Sequence, residues 1–555
     1  MMYDSNRYKK SLWGWLSYAF ASEVFVIVSL TLFLPICLEQ FARDNGYLLP
    51  DKTIPCSSVS NKFVEETTAR CAVKLGWAWI DSASFSLYVY SISVALQALT
   101  VISMGGIADH PPDRKRLLLG FAFLGASAAV LFLLLPSSSP VWPLSGLLAI
   151  FANVGFGASV VAMNAYLPTL ARESEAVVNA LAELEQVSSA STIVPRDTIS
   201  TAESADEPLL RHAESDSEDT AVLRKKYHTE LSNATSRISS LGIALGYSSG
   251  IVLLALTIIP VTILHGSTFS LRLAIGLSGI WWAVFSVPAA IWLPDAAESK
   301  DVDPVWVDGE RRAADDANWN IKKEIVAAWK RLGGMLKWRE VKKLRNTFKY
   351  LAAWFLLSDG FTTITSTAIL FGKTTLHMSP SALILIGVIT PTSGILGSLV
   401  WPVLQRRFAW SNLKVIVILV SMASAIPAYG CLGFLPVLRD KASFGGLTTQ
   451  GEMFGLAVYF GTVYGAFQSY ARALYAELIP PGEEARWYGL FSITDKSSSF
   501  LGPLVVGLIA DTTGNIRFAF FFLVFMIWLA VPILMSVDVE RGRADAQGYS
   551  YAASR

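Results

Sequence analysis

The chain has 555 residues, 53% of them hydrophobic and only 16% charged, with 17 Trp and a mean hydropathy of +0.45. Soluble proteins carry about a quarter charged residues, so this composition excludes a water-soluble enzyme and points to a bilayer. The formal net charge of +1 selects neither nucleic acid nor an acidic partner, and the information lies in where the charges fall.

A helix needs about 20 apolar residues to cross roughly 30 Å of hydrocarbon. Twelve segments meet that need: approximately 13–38, 82–104, 116–135, 141–167, 238–264, 271–293, 348–371, 381–404, 413–436, 451–474, 488–510 and 516–535. The first follows Arg7, Lys9 and Lys10, is too long for a signal-peptide core and lacks a small-residue cleavage site, so a retained span is expected. Basic residues gather in loops after even-numbered spans: Arg114, Lys115 and Arg116 after the second, Arg406, Arg407 and Lys414 after the eighth. By the positive-inside rule both termini, residues 1–12 and 537–555, are expected in the cytosol. The first loop on the opposite, luminal side, residues 39–80, holds Cys56 and Cys71, which can pair in an oxidising compartment or stay free. Neither has metal-ligand spacing with His, and no metal or other cofactor is expected.

Two cytosolic stretches interrupt the apolar pattern. Residues 173–237 separate spans four and five, and within them Glu173 to Thr220 is rich in Ser, Thr, Glu, Asp and Ala. Low hydrophobicity predicts disorder there, as either a regulatory loop or a passive linker. Residues 294–347 join spans six and seven. Their WNIKKEIVAAWKRLGGMLKW stretch sets Trp319, Ile321, Ile325, Trp329 and Leu332 at helical spacing beside many Lys, which predicts an amphipathic helix along the inner leaflet.

Six spans, a basic linker and six more spans suggest one unit present twice, as residues 13–293 and 348–536. Ser22-Glu23 of span one falls opposite Ser358-Asp359 of span seven, Tyr18 opposite Trp354, and Asn164 of span four opposite Arg472 of span ten. This resembles the parallel-repeat plan of major facilitator transporters, an all-α membrane fold of two six-helix halves related by pseudo-symmetry. The loop GGIADHPPDRKR after span two resembles that superfamily's signature at Gly105, Ile107, Ala108, Asp109, Arg114, Lys115 and Arg116. It departs from the signature around His110 to Asp113. An acid at one helix end and a basic cluster at the next helix start can hold a gate shut, which makes Asp109, Arg114 and Arg116 gate candidates.

A closer resemblance rests on SDG (Ser358 to Gly360), ELIPPGEEARWYGLF (Glu477 to Phe491) and the following DKSSSFLGP. WGWLSYAFASEVF in span one and RLAIGLSGIWWAVFSVPA in span six extend it. Together they resemble the autophagy-related protein 22 family, the vacuolar amino-acid effluxers of fungi. The resemblance implies a non-enzymatic protein of the vacuole membrane that releases amino acids from lumen to cytosol after autophagic breakdown. It implies neutral cargo such as Leu, Ile and Tyr. A proton-coupled facilitator of sugars, peptides or drugs would share these features. So would a non-transporting factor that recruits autophagy machinery through the acidic loop.

Ionisable groups inside a membrane cost about 2.5 to 3.5 kcal/mol each at a helix centre, so they usually face a cavity or a partner. Glu23, Asp359, Arg472, Asp495 and Lys496 fall on spans that line or flank the centre in the superfamily plan. A zwitterionic amino acid needs an acid for its ammonium and a base or helix N-terminus for its carboxylate. Glu23 and Asp359 are therefore candidate ammonium partners or proton carriers, Arg472 and Lys496 candidate carboxylate partners, and Asn164 a polar neighbour. Span eleven reads FSITDKSSSFLGPLVVGLIAD. A helix starting at Ser497 would leave about 21 Å before Ala510, too short to cross. One helix from Tyr488 is predicted, with Asp495 and Lys496 at the cytosolic gate opposite GGIADHPPDRKR and the substrate role of Lys496 the second reading. The five His are scattered, and no G-x-S-x-G or Gly-rich phosphate loop is present.

Overall fold

Hydrocarbon offers no water to satisfy backbone N–H and C=O groups, so long apolar runs close their hydrogen bonds internally, as helices. The computed structural model describes residues 5–50, 52–56, 70–109, 111–192, 206–294, 321–435, 445–480 and 484–549. The chain opens with α1 (Ser5–Val24), a π-helical segment (Phe25–Phe33) and α2 (Leu34–Asp44), a run of 40 residues. Three short strands follow, β1 (Tyr47–Leu49), β2 (Arg70–Leu75) and β3 (Ala78–Asp81). Next come α3 (Ser82–Asp109), α4 (Pro111–Leu131), α5 (Leu144–Asn164), α6 (Leu167–Arg172), α7 (Glu175–Thr192), α8 (Asp206–Ile263) and α9 (Thr268–Trp292). After the linker helices α10 (Ile321–Met335) and α11 (Trp338–Lys343) come α12 (Arg345–Thr374), α13 (Pro380–Phe408), α14 (Asn412–Leu432) and α15 (Gln450–Glu477). The chain ends with α16 (Glu484–Ser498), α17 (Leu501–Thr513), α18 (Ala519–Met535) and α19 (Val539–Gln547).

Among the described residues, ten helices are long and apolar enough to cross a membrane. The tenth and eleventh expected segments are helical but fall short of that standard. Helix α15 is 28 residues long and misses on composition, while α16 and α17 have only 15 and 13 residues. Phe123, Leu399 and Phe525 point outward with 76%, 65% and 64% of their surface exposed, an apolar exterior suited to lipid.

Before the linker, α1 packs on α8 and α9, and α5 packs on α3 and α4; after it, α12 packs on α18 and α13 on α15. Small residues allow the closest approaches. A Cβ on Gly461 would collide with the Thr390 carbonyl, and one on Gly465 with Gly394. Helix association in lipid relies on such backbone contact, because lipid tails are as apolar as the side chains. Aromatic stacks fill the second group, with ring centroids 4.2 Å apart for Phe361–Phe467 and 4.4 Å for Trp354–Phe491.

The strands form an antiparallel sheet in the order β1-β2-β3, with Leu48 opposite Cys71 and Ala72 opposite Asp81. Cys56 and Cys71 are joined by a disulfide with Cα atoms 6.0 Å apart, tying the segment after β1 to β2. Arg70 carries the sheet to the opposite helical group by donating to the Asp511 carbonyl at 3.2 Å.

The predicted single helix for span eleven is broken, and the cause is local. The Ser498 and Ser499 hydroxyls donate back to the Asp495 carbonyl at 2.9 and 2.8 Å, competing with the backbone for it at the end of α16. Helix α17 restarts at Leu501, so the first N–H groups of a new helix lie inside the apolar layer.

Of the two cytosolic stretches, one changes and the other forms the expected helix. Residues 173–237 do not read as wholly disordered: Glu175–Thr192 is the helix α7, and α8 begins at Asp206. Val177, Ala180, Leu181 and Leu184 recur at helical spacing, with Val177 and Ala180 buried. The overall polar composition hid that local apolar face. Residues 193–205 lie outside the described residues. The linker helix forms over Ile321–Met335, and its Trp329 indole donates to Ser103 of α3 at 3.2 Å; Trp319 lies outside the described residues.

The break also leaves no room for a side chain at Gly502. A Cβ there would lie 2.8 Å from Asp359 Oδ1 and would overlap the Thr363 hydroxyl. Gly502→Ala is expected to destabilise the protein by about 1 to 3 kcal/mol, the usual cost of overpacking, seen as a lower Tm in detergent. An unchanged Tm would show that the α12–α17 contact is loose.

Candidate functional site

Glu23 lies in the last turn of α1, next to the π-helical segment. π-helical turns often mark functional sites, where an extra residue displaces side chains from the regular register. The Glu23 stem lies against Gly246 of α8, where an added Cβ would come within 2.7 Å of the Glu23 Cβ. Its carboxylate lies within electrostatic reach of Lys496 of α16 and Arg472 of α15. Tyr247, beside Gly246, senses both Glu23 and Arg472. Tyr464 of α15 accepts from Gln468 Nε2 at 2.8 Å and faces Tyr247, Asp495 and Arg472. Two predicted bases, Arg472 and Lys496, thus lie within electrostatic reach of the predicted acid Glu23 from separate helices. None of the described salt bridges joins Glu23 to either base. Arg472 is exposed, and the Lys496 side chain retains 44% of its surface.

Asp359 occupies a different environment. It is 2% exposed, its two oxygens accept from Gly502 N at 3.0 and 2.9 Å, and Thr363 donates at 3.4 Å. A carboxylate at a helix N-terminus meets both free donors and the positive end of the helix dipole. Those contacts occupy the face of Asp359 that a substrate ammonium would need. Asn164, at the C-terminal end of α5, is exposed.

The gate residues are arranged differently from the expectation. Asp495 accepts a short hydrogen bond from Ser358 and lies 3.6 Å from Lys496 Nζ. It also faces Tyr90 of α3, a residue about 22 Å of helix rise from Gly105, so it sits near mid-helix and away from GGIADHPPDRKR. The reason is the break at Ser499, which sets α16 independently of α17. Arg114 lies over the Tyr166 ring, 5.0 Å from its centroid, and donates to Thr169 at 3.4 Å; Arg116 is exposed. The Asp109 side chain lies outside the described residues.

The contacts that join the two helical groups lie on the sheet side of this cluster. Ser91 donates to the Phe500 carbonyl at 2.6 Å, Ser84 to the Gly507 carbonyl at 2.8 Å, and Asp81 N to Asp511 Oδ1 at 2.8 Å. Leu32 and Leu254 close on Gly387, and Pro380 on Gly266. The sheet side is sealed by backbone and small polar groups. The charged candidates lie beyond that seal, toward the face carrying the termini.

Sequence reasoning missed Tyr247, Tyr90, Tyr464 and Gln468, which line the cluster, and Gly502, which receives Asp359. A single Tyr or Gly in an apolar helix carries no signal until its neighbours are known. Among the described residues no group of three or more His, Cys, Asp or Glu could hold a metal ion.

Two solved structures share the architecture across nearly the whole chain. The peptide transporter POT in complex with alafosfalin matches with a TM-score of 0.52 and 12% identity, covering 97% of this chain and 96% of that one. The inward open xylose transporter XylE from E. coli matches with a TM-score of 0.50 and 11% identity, covering 97% and 98%. At such identity they establish a major facilitator fold alone. Sequence relatives lie much nearer. Autophagy-related protein 22 of Cryptococcus neoformans var. neoformans is 41% identical over 96% of this chain and 95% of its own length. Autophagy-related protein 22-1 of Penicillium rubens is 39% identical over 97% and 91%. The family model described as "Vacuole effluxer Atg22 like" matches residues 7–547, and the chain belongs to that family.

Proposed function

We propose that this protein carries neutral amino acids, such as Leu, Ile and Tyr, from the vacuole lumen to the cytosol by alternating access. In this reading the chain crosses the membrane twelve times, in halves spanning residues 13–293 and 348–536, with both termini cytosolic. The sheet face is then luminal, and the sealed sheet side is a closed luminal gate. Support comes from one observation above all: Arg472 and Lys496, from two other helices, lie within electrostatic reach of Glu23, and no described salt bridge joins Glu23 to either. An acid with no described ion pair, an exposed Arg472 and a Lys496 held only at 3.6 Å by Asp495 match the two charges of a zwitterion, whose ammonium goes to Glu23 and carboxylate to Arg472 or Lys496. Tyr247 and Tyr464 offer polar tips on apolar rings beside it, suited to an uncharged side chain. Asp359, originally a candidate for the ammonium, becomes the residue that positions α17 at the seal.

Counterflow of labelled leucine in proteoliposomes tests the assignment. Losing one charge-assisted contact costs about 2 kcal/mol, which corresponds to roughly 30-fold in affinity. Glu23→Gln and Arg472→Gln are each expected to raise the half-saturating leucine concentration by about that factor. Unchanged leucine exchange in both variants overturns the site. Exchange of sugars or peptides but not amino acids overturns the cargo.

Asp359→Asn should behave differently. It keeps the acceptor oxygen but removes the charge facing the α17 N-terminus, an interaction of about 1 kcal/mol. Slower exchange at unchanged half-saturation is expected, read from the same counterflow assay, and a change in half-saturation alone would place Asp359 in the substrate site.

A further inference from the structure

The sheet face holds carboxylates that the substrate site does not use. Glu39 of α2 is fully buried; its Oε1 accepts from Arg43 at 2.9 Å and from Ser82 at 3.2 Å. Its Oε2 is buried with no hydrogen-bond partner, an unusual state for a carboxylate oxygen. Next to Ser82, Asp81 caps its own helix through Ala83 N at 3.0 Å. Its backbone N–H bonds Asp511 Oδ1 across the interface between the helical groups. Asp81 is surrounded by Glu39 and Arg43 of α2, Arg70 of β2, Tyr88 of α3 and Asp511 of α17. The disulfide between Cys56 and Cys71 anchors the strand that carries Arg70.

We propose that Glu39, Asp81 and Asp511 form a proton-binding site in the seal, so that protonation from the sheet side favours closing of that side. Three carboxylates brought together across an interface that must shut cannot all stay ionised without repulsion. One proton removes the repulsion, and the orphaned Glu39 oxygen shows that the cluster is short of donors. Burial, with Glu39 and Asp511 nearby, pushes the Asp81 carboxyl from the ordinary 3.8 up to about 6. Opening lets water in and returns it toward 3.8. The shut state therefore holds the proton more tightly. Its advantage is complete below about pH 3.8 and is lost as pH rises through about 6. In the proposed orientation, acid in the lumen shuts the luminal gate, the step that precedes release to the cytosol.

The test reads conformation, so it holds whatever solute is carried. Spin labels at Trp77→Cys, in the exposed β2–β3 turn, and Gln450→Cys, at the start of α15, report the width of the sheet side. The chain is placed in nanodiscs with Cys37 and Cys431 replaced by Ala. From pH 8 to 4.5 the short-distance population should grow, with a midpoint near 6 and a shut-to-open ratio changing by about 30-fold. Asp81→Asn should hold that ratio constant to within about twofold over the same range. Asp511→Asn retains the acceptor for Asp81 N but removes a charge, and should move the midpoint to lower pH. Its midpoint decides the matter should Asp81→Asn fail to fold. A parent protein insensitive to pH, an Asp81→Asn variant that keeps the parent's response, or an unmoved Asp511→Asn midpoint overturns the proposal.

Discussion

A carboxylate buried in an apolar layer must be neutralised or met by donors, and in this protein Asp359 is met by the start of a helix. The two bonds from Gly502 N place the N-terminus of α17 against the middle of α12. Much else depends on that contact. Because α17 begins there, its Phe500 and Gly507 carbonyls receive the hydroxyls of Ser91 and Ser84, and Asp511 reaches Asp81. Because α16 ends three residues earlier, Asp495 and Lys496 turn toward the centre of the molecule. One interrupted helix thus sets both the seal and one wall of the charged cluster.

The two kinds of charge in the spans are treated oppositely. Asp359 and Asp495 have their donors in place, from Gly502, Thr363 and Ser358. Glu23 reaches Arg472 and Lys496 only at longer range; Arg472 is exposed, and Lys496, 3.6 Å from Asp495, keeps 44% of its side-chain surface. Satisfied charges rigidify a packed interface, whereas exposed ones keep their hydration and exchange it for a ligand at little cost. That division separates the parts that build the transporter from the parts proposed to bind.

Much of the fold was legible because hydropathy over 20 residues is a property of the chain alone. Ten of the expected segments stand as long apolar helices, and the acid and bases of the central cluster were visible as charges where charge is costly. Other features were hidden by averaging or by distance. The α7 helix disappears in a window dominated by Ser and Glu. The break at Ser499 has a local signal in the three consecutive serines, but the length needed to cross the hydrocarbon favours an unbroken span. Tyr247 and Gly502 matter through neighbours more than 100 residues away, which no periodicity reveals.

By itself the sequence determined a membrane protein of apolar helices, its family and the identity of its rare intramembrane charges, since insertion energy depends on composition along each segment. Only the tertiary structure decided which of those charges are spent on building and which are left open. Hydrogen bonding and screening are set by atoms a few ångströms away, and those atoms come from other helices. Asp495 and Lys496, adjacent in sequence, illustrate the difference: one is held by Ser358 of α12, the other looks toward Glu23 of α1.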